Sequence, residues 1–153
     1  MLIRRATEQD TQAVLALVPR LAAFGPPVWR DASVITETDM AVITEALRVQ
    51  SQGDDPAVFV VEMDGAILGM MHVRSAEDFH RRRKHGHVAD LIVAEGHEGK
   101  GIATALLTRA EEWARTQGYD WLGIGVFEAN VRAEKLYRKF GFQRDVIRLI
   151  KPL

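Results

Sequence analysis

The chain has 153 residues with 20 basic and 21 acidic side chains and a formal charge of -1; this suits a single domain, residues 1–153, burying about two thirds of its unfolded surface, and excludes the global positive field of a nonspecific nucleic-acid binder. It contains no cysteine, which excludes disulfides, thiolate metal sites and a cysteine nucleophile and fits a cytoplasmic protein. No stretch approaches the roughly 18 to 20 apolar residues of a membrane span, and the opening MLIRRATEQD lacks the apolar core of a signal peptide, so no membrane partner is expected.

In chain order, Leu2 to Arg5 alternate weakly and lead into the polar cluster Thr7, Glu8 and Asp10, which can start a helix carrying Val14, Leu17, Val18 and Leu21, with Pro19 kinking or shortening it. The paired prolines of Phe24-Gly25-Pro26-Pro27-Val28-Trp29-Arg30 demand a loop. A second helix is expected from Thr38 to Gln50, with Met40, Ile43 and Leu47 on one side. Residues 57–63 and 66–73 flank Asp64-Gly65, the turn chemistry of a tight antiparallel hairpin. The basic run His80-Arg81-Arg82-Arg83-Lys84-His85 reads as solvated loop, and His87 to Val93 as a buried strand.

From Ile102 the apolar positions 103, 106, 107, 110, 113 and 114 keep helical spacing up to a stop at Gly118. Residues 121–127 form the next strand. Asn130 can cap a last helix with Ala133, Leu136, Tyr137 and Phe140 on its apolar face and Gly141 after its end, and residues 142–150 are expected to form a final strand.

Two segments carry chemistry. EGHEGKGIATALL, residues 95–107, is a glycine loop entering a helix; Gly99 and Gly101 let bare backbone approach a ligand, and free N–H groups at the helix start suit a diphosphate. Lys100 is followed by Gly101, not by the Ser or Thr of a nucleoside-triphosphate loop, and the third glycine of the dinucleotide fingerprint is missing. Taken alone, the loop is equally a tight strand-to-helix turn. The second segment, NVRAEKLYRKFGF at 130–142, spaces Asn, Ala, Leu-Tyr and Gly-Phe along one helix.

Together these two segments resemble the GCN5-related N-acetyltransferase (GNAT) family, closely over residues 87–143. The resemblance implies an acyl-CoA N-acyltransferase-like α/β fold: a twisted, mixed, mostly antiparallel sheet flanked by helices and splayed near the glycine loop. It implies acetyl-CoA as co-substrate, no metal, and an amine acceptor that is either a small molecule or a protein; homodimers are common in the family. The family signature falls on Glu98, Gly101 and Ala103, with Glu98 replacing the usual Arg or Gln. It places the diphosphate on backbone N–H groups of Gly99, Lys100, Gly101, Ile102, Ala103 and Thr104. It also implies that the pantetheine arm lies along Leu91, Ile92 and Val93, that a backbone N–H around Ile92 faces the developing oxyanion, and that Asn130 contacts the arm. By the same resemblance, Tyr137 is expected to be the acid that protonates the leaving thiolate, and Phe24, Trp29 and Arg30 to shape the acceptor pocket.

Each assignment has a plainer reading beside it. Tyr137 can be a core aromatic, Asn130 only a helix cap, and Trp29 a cover for the core. Asp90, a carboxylate inside an apolar strand, ranks first as general base, ahead of His87 and Glu62; the alternatives are a structural hydrogen bond or deprotonation by ordered water. Glu98 is expected to point to solvent. Two rival functions are a CoA-binding regulatory module without catalysis, and an RNA-binding domain using the GXXG-like Gly96-His97-Glu98-Gly99 and the basic run, which Glu98 disfavours.

Overall fold

The computed structural model describes residues 1–78 and 80–153. Five strands lie in chain order across one sheet: β1 (Leu2–Arg5), β2 (Ala57–Met63), β3 (Ala66–Asp78), β4 (Arg83–Val93) and β5 (Leu122–Ile124). The first three pairings are antiparallel and only β4 with β5 is parallel. Helices α1 (Thr11–Leu17), α2 (Ala32–Val49), α3 (Ile102–Thr116) and α4 (Val131–Phe140) complete the fold.

Sheet alternation divides the core into two layers. Val58 and Val60 of β2 and Met70 of β3 face Val14, Val18 and Ile43 on the α1–α2 side. Phe59, Val61, Met71 and Val73 face Leu106, Leu107 and Trp113 of α3 on the other. Arg4 joins the start of the chain to this frame, bonding both oxygens of the buried Asp10 carboxylate at 2.7 and 2.8 Å and Glu62 at 2.9 Å.

The element boundaries depart from the sequence reading in five places, one being the strand expected over 121–127, which shortens to Leu122–Ile124. Pro19 ends α1 as expected, but the chain continues as a 3-10 helix through Ala23. Helix α2 begins at Ala32, not Thr38, because the Asp31 carboxylate accepts from the Ser33 N–H at 2.7 Å and caps it. Strands β3 and β4 run on into the basic segment, so Arg83, Lys84 and His85 belong to a strand, not to a loop; their backbone pairs with 76–78 while their side chains stay polar. Arg81 lies over the Trp121 ring at 3.7 Å, and both Arg81 and Arg83 approach Asp120.

The expected strand over 142–150 does not form, and 143–153 has no regular structure. Its apolar residues Val146, Ile147, Leu149 and Ile150 do not alternate, so no register puts them all on one face. Arg144 instead bonds back to Glu134 of α4 at 2.8 Å. The observed sheet is nonetheless the mixed, mostly antiparallel one expected, in a single α/β unit.

Candidate active site

The site begins with one extra residue. Across β3 and β4, His72 pairs with Asp90 but Val73 pairs with Val88, so Ala89 is unmatched and forms a bulge. β5 follows β4 only over Gly86–Val88. Beyond the bulge, among the described residues, the outer edge of β4 has no neighbouring strand, and a cleft of about 860 Å³ opens between Ala89–Val93 and the 124–127 segment. Unpaired peptide groups on such an edge are free to bond an extended chain.

The glycine loop closes one end of the cleft. Gly101 caps α3 in the left-handed conformation, φ 83°, which Ala would strain. The first hydrogen bond of the helix runs from the Ala105 N–H to Gly101 O at 2.9 Å. The N–H groups of Ile102, Ala103 and Thr104 in the first turn therefore lack helical partners. Helix α3 can sit this deep because Gly69 of β3 lies beneath it: a Cβ there would be 2.6 Å from Ile102 Cγ2. A side chain added at Gly99 or Gly101 would meet nothing within 4 Å, so bare, outward-facing backbone lines the loop.

Glu98 does not point to solvent as the sequence reading had it. Its carboxylate pairs with Arg20 from the 3-10 turn after α1, and Arg20 Nε also donates to Val93 O at 2.8 Å. The Glu98 backbone N–H, with Arg20, the Gly96 N–H and Arg132, holds its carboxyl below the usual carboxylate range. The carboxylate in an anion cradle is thus neutralised by an arginine from another element, and Arg20 lies on the cleft wall.

Tyr137 and Asn130 face the same cleft. Tyr137 is 9% exposed and packs edge-on against Phe142 at 6.0 Å; burial raises its pKa, so the phenol keeps its proton at neutral pH. The Asn130 carbonyl caps α4 by accepting from the Ala133 N–H at 3.1 Å, leaving its amide N–H groups available. Capping and ligand contact are therefore compatible.

Asp90 is on the cleft wall and 9% exposed. Its Oδ2 lies 2.9 Å from Nδ1 of the buried His72. His87 also lines the cleft, where burial, then Arg74 and His85, push its pKa down and favour the neutral ring. Glu62 of β2 does not belong here: it is bound to Arg4 of β1 and is absent from the cleft wall. Phe24 and Arg30 line the cleft, whereas Trp29, 51% exposed, and Lys100 lie off the wall.

Sequence reasoning missed Asp39, Arg20 and His72. Asp39 of α2 lines the cleft, and burial together with the Asp90 charge pushes its carboxyl up to about 6. The signal was present: 35, 39 and 43 share one stripe of α2, and an acid on an inward stripe needs a reason.

A splayed sheet edge leading to bare N–H groups at a helix start, with a protonated phenol and a carboxylate on the walls, defines an acyl-CoA N-acyltransferase-like protein. The model of the acetyltransferase (GNAT) family matches residues 24–142, and the chain belongs to that family. Mouse N-acetyltransferase 8 is 33% identical over 118 residues, 76% of this chain and 50% of its own; the chain spans about half the length of the curated relatives it matches. Similar folds include an aminoglycoside 6'-N-acetyltransferase from Acinetobacter haemolyticus, TM-score 0.74 at 20% identity over 100% of this chain and 99% of that one. Another is the aminoglycoside N-acetyltransferase AAC(6')-Iy in complex with CoA, TM-score 0.77 at 17% identity over 99% of this chain and 93% of that one.

Proposed function

We propose that the protein is an acetyl-CoA-dependent N-acetyltransferase that passes the acetyl group directly to a primary amine. The observation that carries this reading is the continuity of the unpaired β4 edge with the free N–H groups of α3, a track for an extended arm ending in a diphosphate. Acetyl-CoA supplies the thioester. The backbone of Leu91–Val93 aligns the arm, Gly99–Thr104 hold the diphosphate, and a β4 N–H near Ile92 donates to the oxygen as charge develops.

An amine attacks only when neutral, so its ammonium must first lose a proton. Asp90 takes that proton, with His87 and Asp39 as further groups on the cleft wall able to accept one. Tyr137 donates its phenolic proton as the thiolate leaves, a transfer from a group of ordinary pKa about 10 to one of about 8.5.

Asp39 and Asp90 give the acceptor end a negative character suited to a cationic amine. Small molecules are the favoured acceptors: the cleft is enclosed by Phe24, Arg30 and α2, and aminoglycoside acetyltransferases are among the proteins of similar fold. A panel of polyamines, aminoglycosides and peptide amines, read by release of free thiol from acetyl-CoA, tests the proposal. Acetyl-CoA binding without turnover across the panel would favour a non-catalytic CoA-binding module instead.

A further inference from the structure

Asp90 is held from behind. Its partner His72 stands opposite it across the β3–β4 ladder and is 1% exposed. A carboxylate can only accept, so Nδ1 of His72 carries the hydrogen and donates to Oδ2. In the neutral ring the other nitrogen, Nε2, is then a bare acceptor, buried and without a hydrogen-bond partner among the described residues. Such an unmet acceptor is unfavourable in an apolar core. Met70 and Ile92, on the same layer, show that plain apolar side chains fit beside it. A histidine here serves the carboxylate more than the core.

We propose that His72 is the positioning residue of the deprotonation step, donating from Nδ1 to Oδ2 of Asp90 so that Oδ1 is presented to the acceptor ammonium in the cleft. The inference rests on the acetyl-transfer reading. In this step an ammonium N–H bond breaks, its electron pair stays on nitrogen for attack on the thioester, and an O–H bond forms at Asp90 Oδ1. His72 keeps its Nδ1 proton throughout, and the proton on Asp90 later leaves to water in the cleft. The constraint matters because Asp39 and Asp90 repel each other, and an unheld Asp90 carboxylate would rotate away from the geometry that attack requires.

Two variants separate positioning from packing. His72→Leu fills much of the volume without a donor, whereas His72→Asn keeps an N–H near the place of Nδ1. With an amine found in the acceptor panel, the Leu variant should lose about 10- to 100-fold in kcat with KM for acetyl-CoA unchanged, and the Asn variant should recover most of that loss. Long-range proton–nitrogen NMR of the unsubstituted protein should place the ring hydrogen on Nδ1, with Nε2 bare. Wild-type kcat in the Leu variant, or a hydrogen on Nε2, would overturn the proposal. The NMR signature needs no substrate and stands even if a variant fails to fold. Failure of every amine to be acetylated would overturn the acetyl-transfer reading and is thereby told apart.

Discussion

Gly69→Ala tests whether the cradle depends on how closely α3 approaches the sheet. Gly69 has no left-handed backbone, so Ala can adopt its conformation, and the cost falls entirely on packing. The new methyl would lie 2.6 Å from Ile102 Cγ2, 3.2 Å from Ile92 O and 3.4 Å from Leu106 Cδ1. An ordinary contact begins near 3.4 Å, so Ile102 must yield by about 0.8 Å. Ile102 is 1% exposed and Leu106 fully buried, so neither can swing into solvent. Overpacking of this kind costs about 1–3 kcal/mol, which lowers the melting temperature of a chain this size by about 3–10 °C. The easiest relief is outward movement of the α3 start, carrying the Ala103 and Thr104 N–H groups off the diphosphate position. Acetyl-CoA affinity by calorimetry should fall about 3- to 30-fold. Gly53→Ala, where an added Cβ meets nothing within 4 Å, is the control. Unchanged stability and affinity in Gly69→Ala would refute the idea that this glycine sets the cradle depth.

Tyr137→Phe should lower kcat by about 10² to 10⁴ while acetyl-CoA affinity and melting temperature move little, since the ring still packs on Phe142; undiminished turnover would leave the phenol a packing role. Asp39 is an anion only above about pH 6, so kcat/KM for a cationic acceptor should fall as pH drops through 6, and Asp39→Asn should abolish that limb and lower kcat/KM at pH 8. His87 also lines the cleft, and a limb that survives in the Asn variant does not belong to Asp39. Arg4, with the Thr7 N–H, holds Asp10 well below its ordinary value of 3.8, so the pair adds its full stability above that value and loses it progressively as pH falls below it through the depressed one. Asp10→Asn should therefore cost about 2–3 kcal/mol at pH 7, shaded down from a fully buried pair because Arg4 is 30% exposed, and should flatten the acid side of a melting-temperature profile. Glu98→Gln frees Arg20 to face the diphosphate, so acetyl-CoA should bind severalfold tighter at low salt with the gain shrinking as salt rises; weaker binding would show that Glu98 serves the cradle by holding Arg20.

What was legible in the sequence was whatever local chemistry dictates. Asp64-Gly65 announces its turn because both residues take positive φ, 51° and 78°. Gly101, Asn130 and Gly141 mark helix ends through capping geometry that no distant contact overrides. The start of α2 depended on which of several polar residues caps it, and Asp31 precedes the first clearly apolar stripe. Strand length escaped notice where pairing outran burial: 76–78 and 83–85 bond through backbone alone, and hydrophobic patterning is blind to that. The Arg20–Glu98 pair is 78 residues apart, and Asp39, Asp90 and His72 come from three elements. Their meeting is a property of the folded sheet.

The bulge at Ala89 explains why the site sits where it does. Val88 packs in the α3 layer and Ile92 in the α1–α2 layer, yet the two are an even number of residues apart and strict alternation would put them on the same face. The unmatched residue reverses the parity. Without it Asp90 would share the face of Val88, among Leu106 and Trp113, where an ionised carboxylate would have no partner. With it, Asp90 turns to the other face and meets His72 and Asp39. The same insertion raises local twist, and pairing with β5 stops at Val88, which bares the β4 edge just where an extended arm can bind. On the acetyl-transfer reading proposed above, one extra residue both aims Asp90 into the cleft and bares the β4 edge offered to the co-substrate.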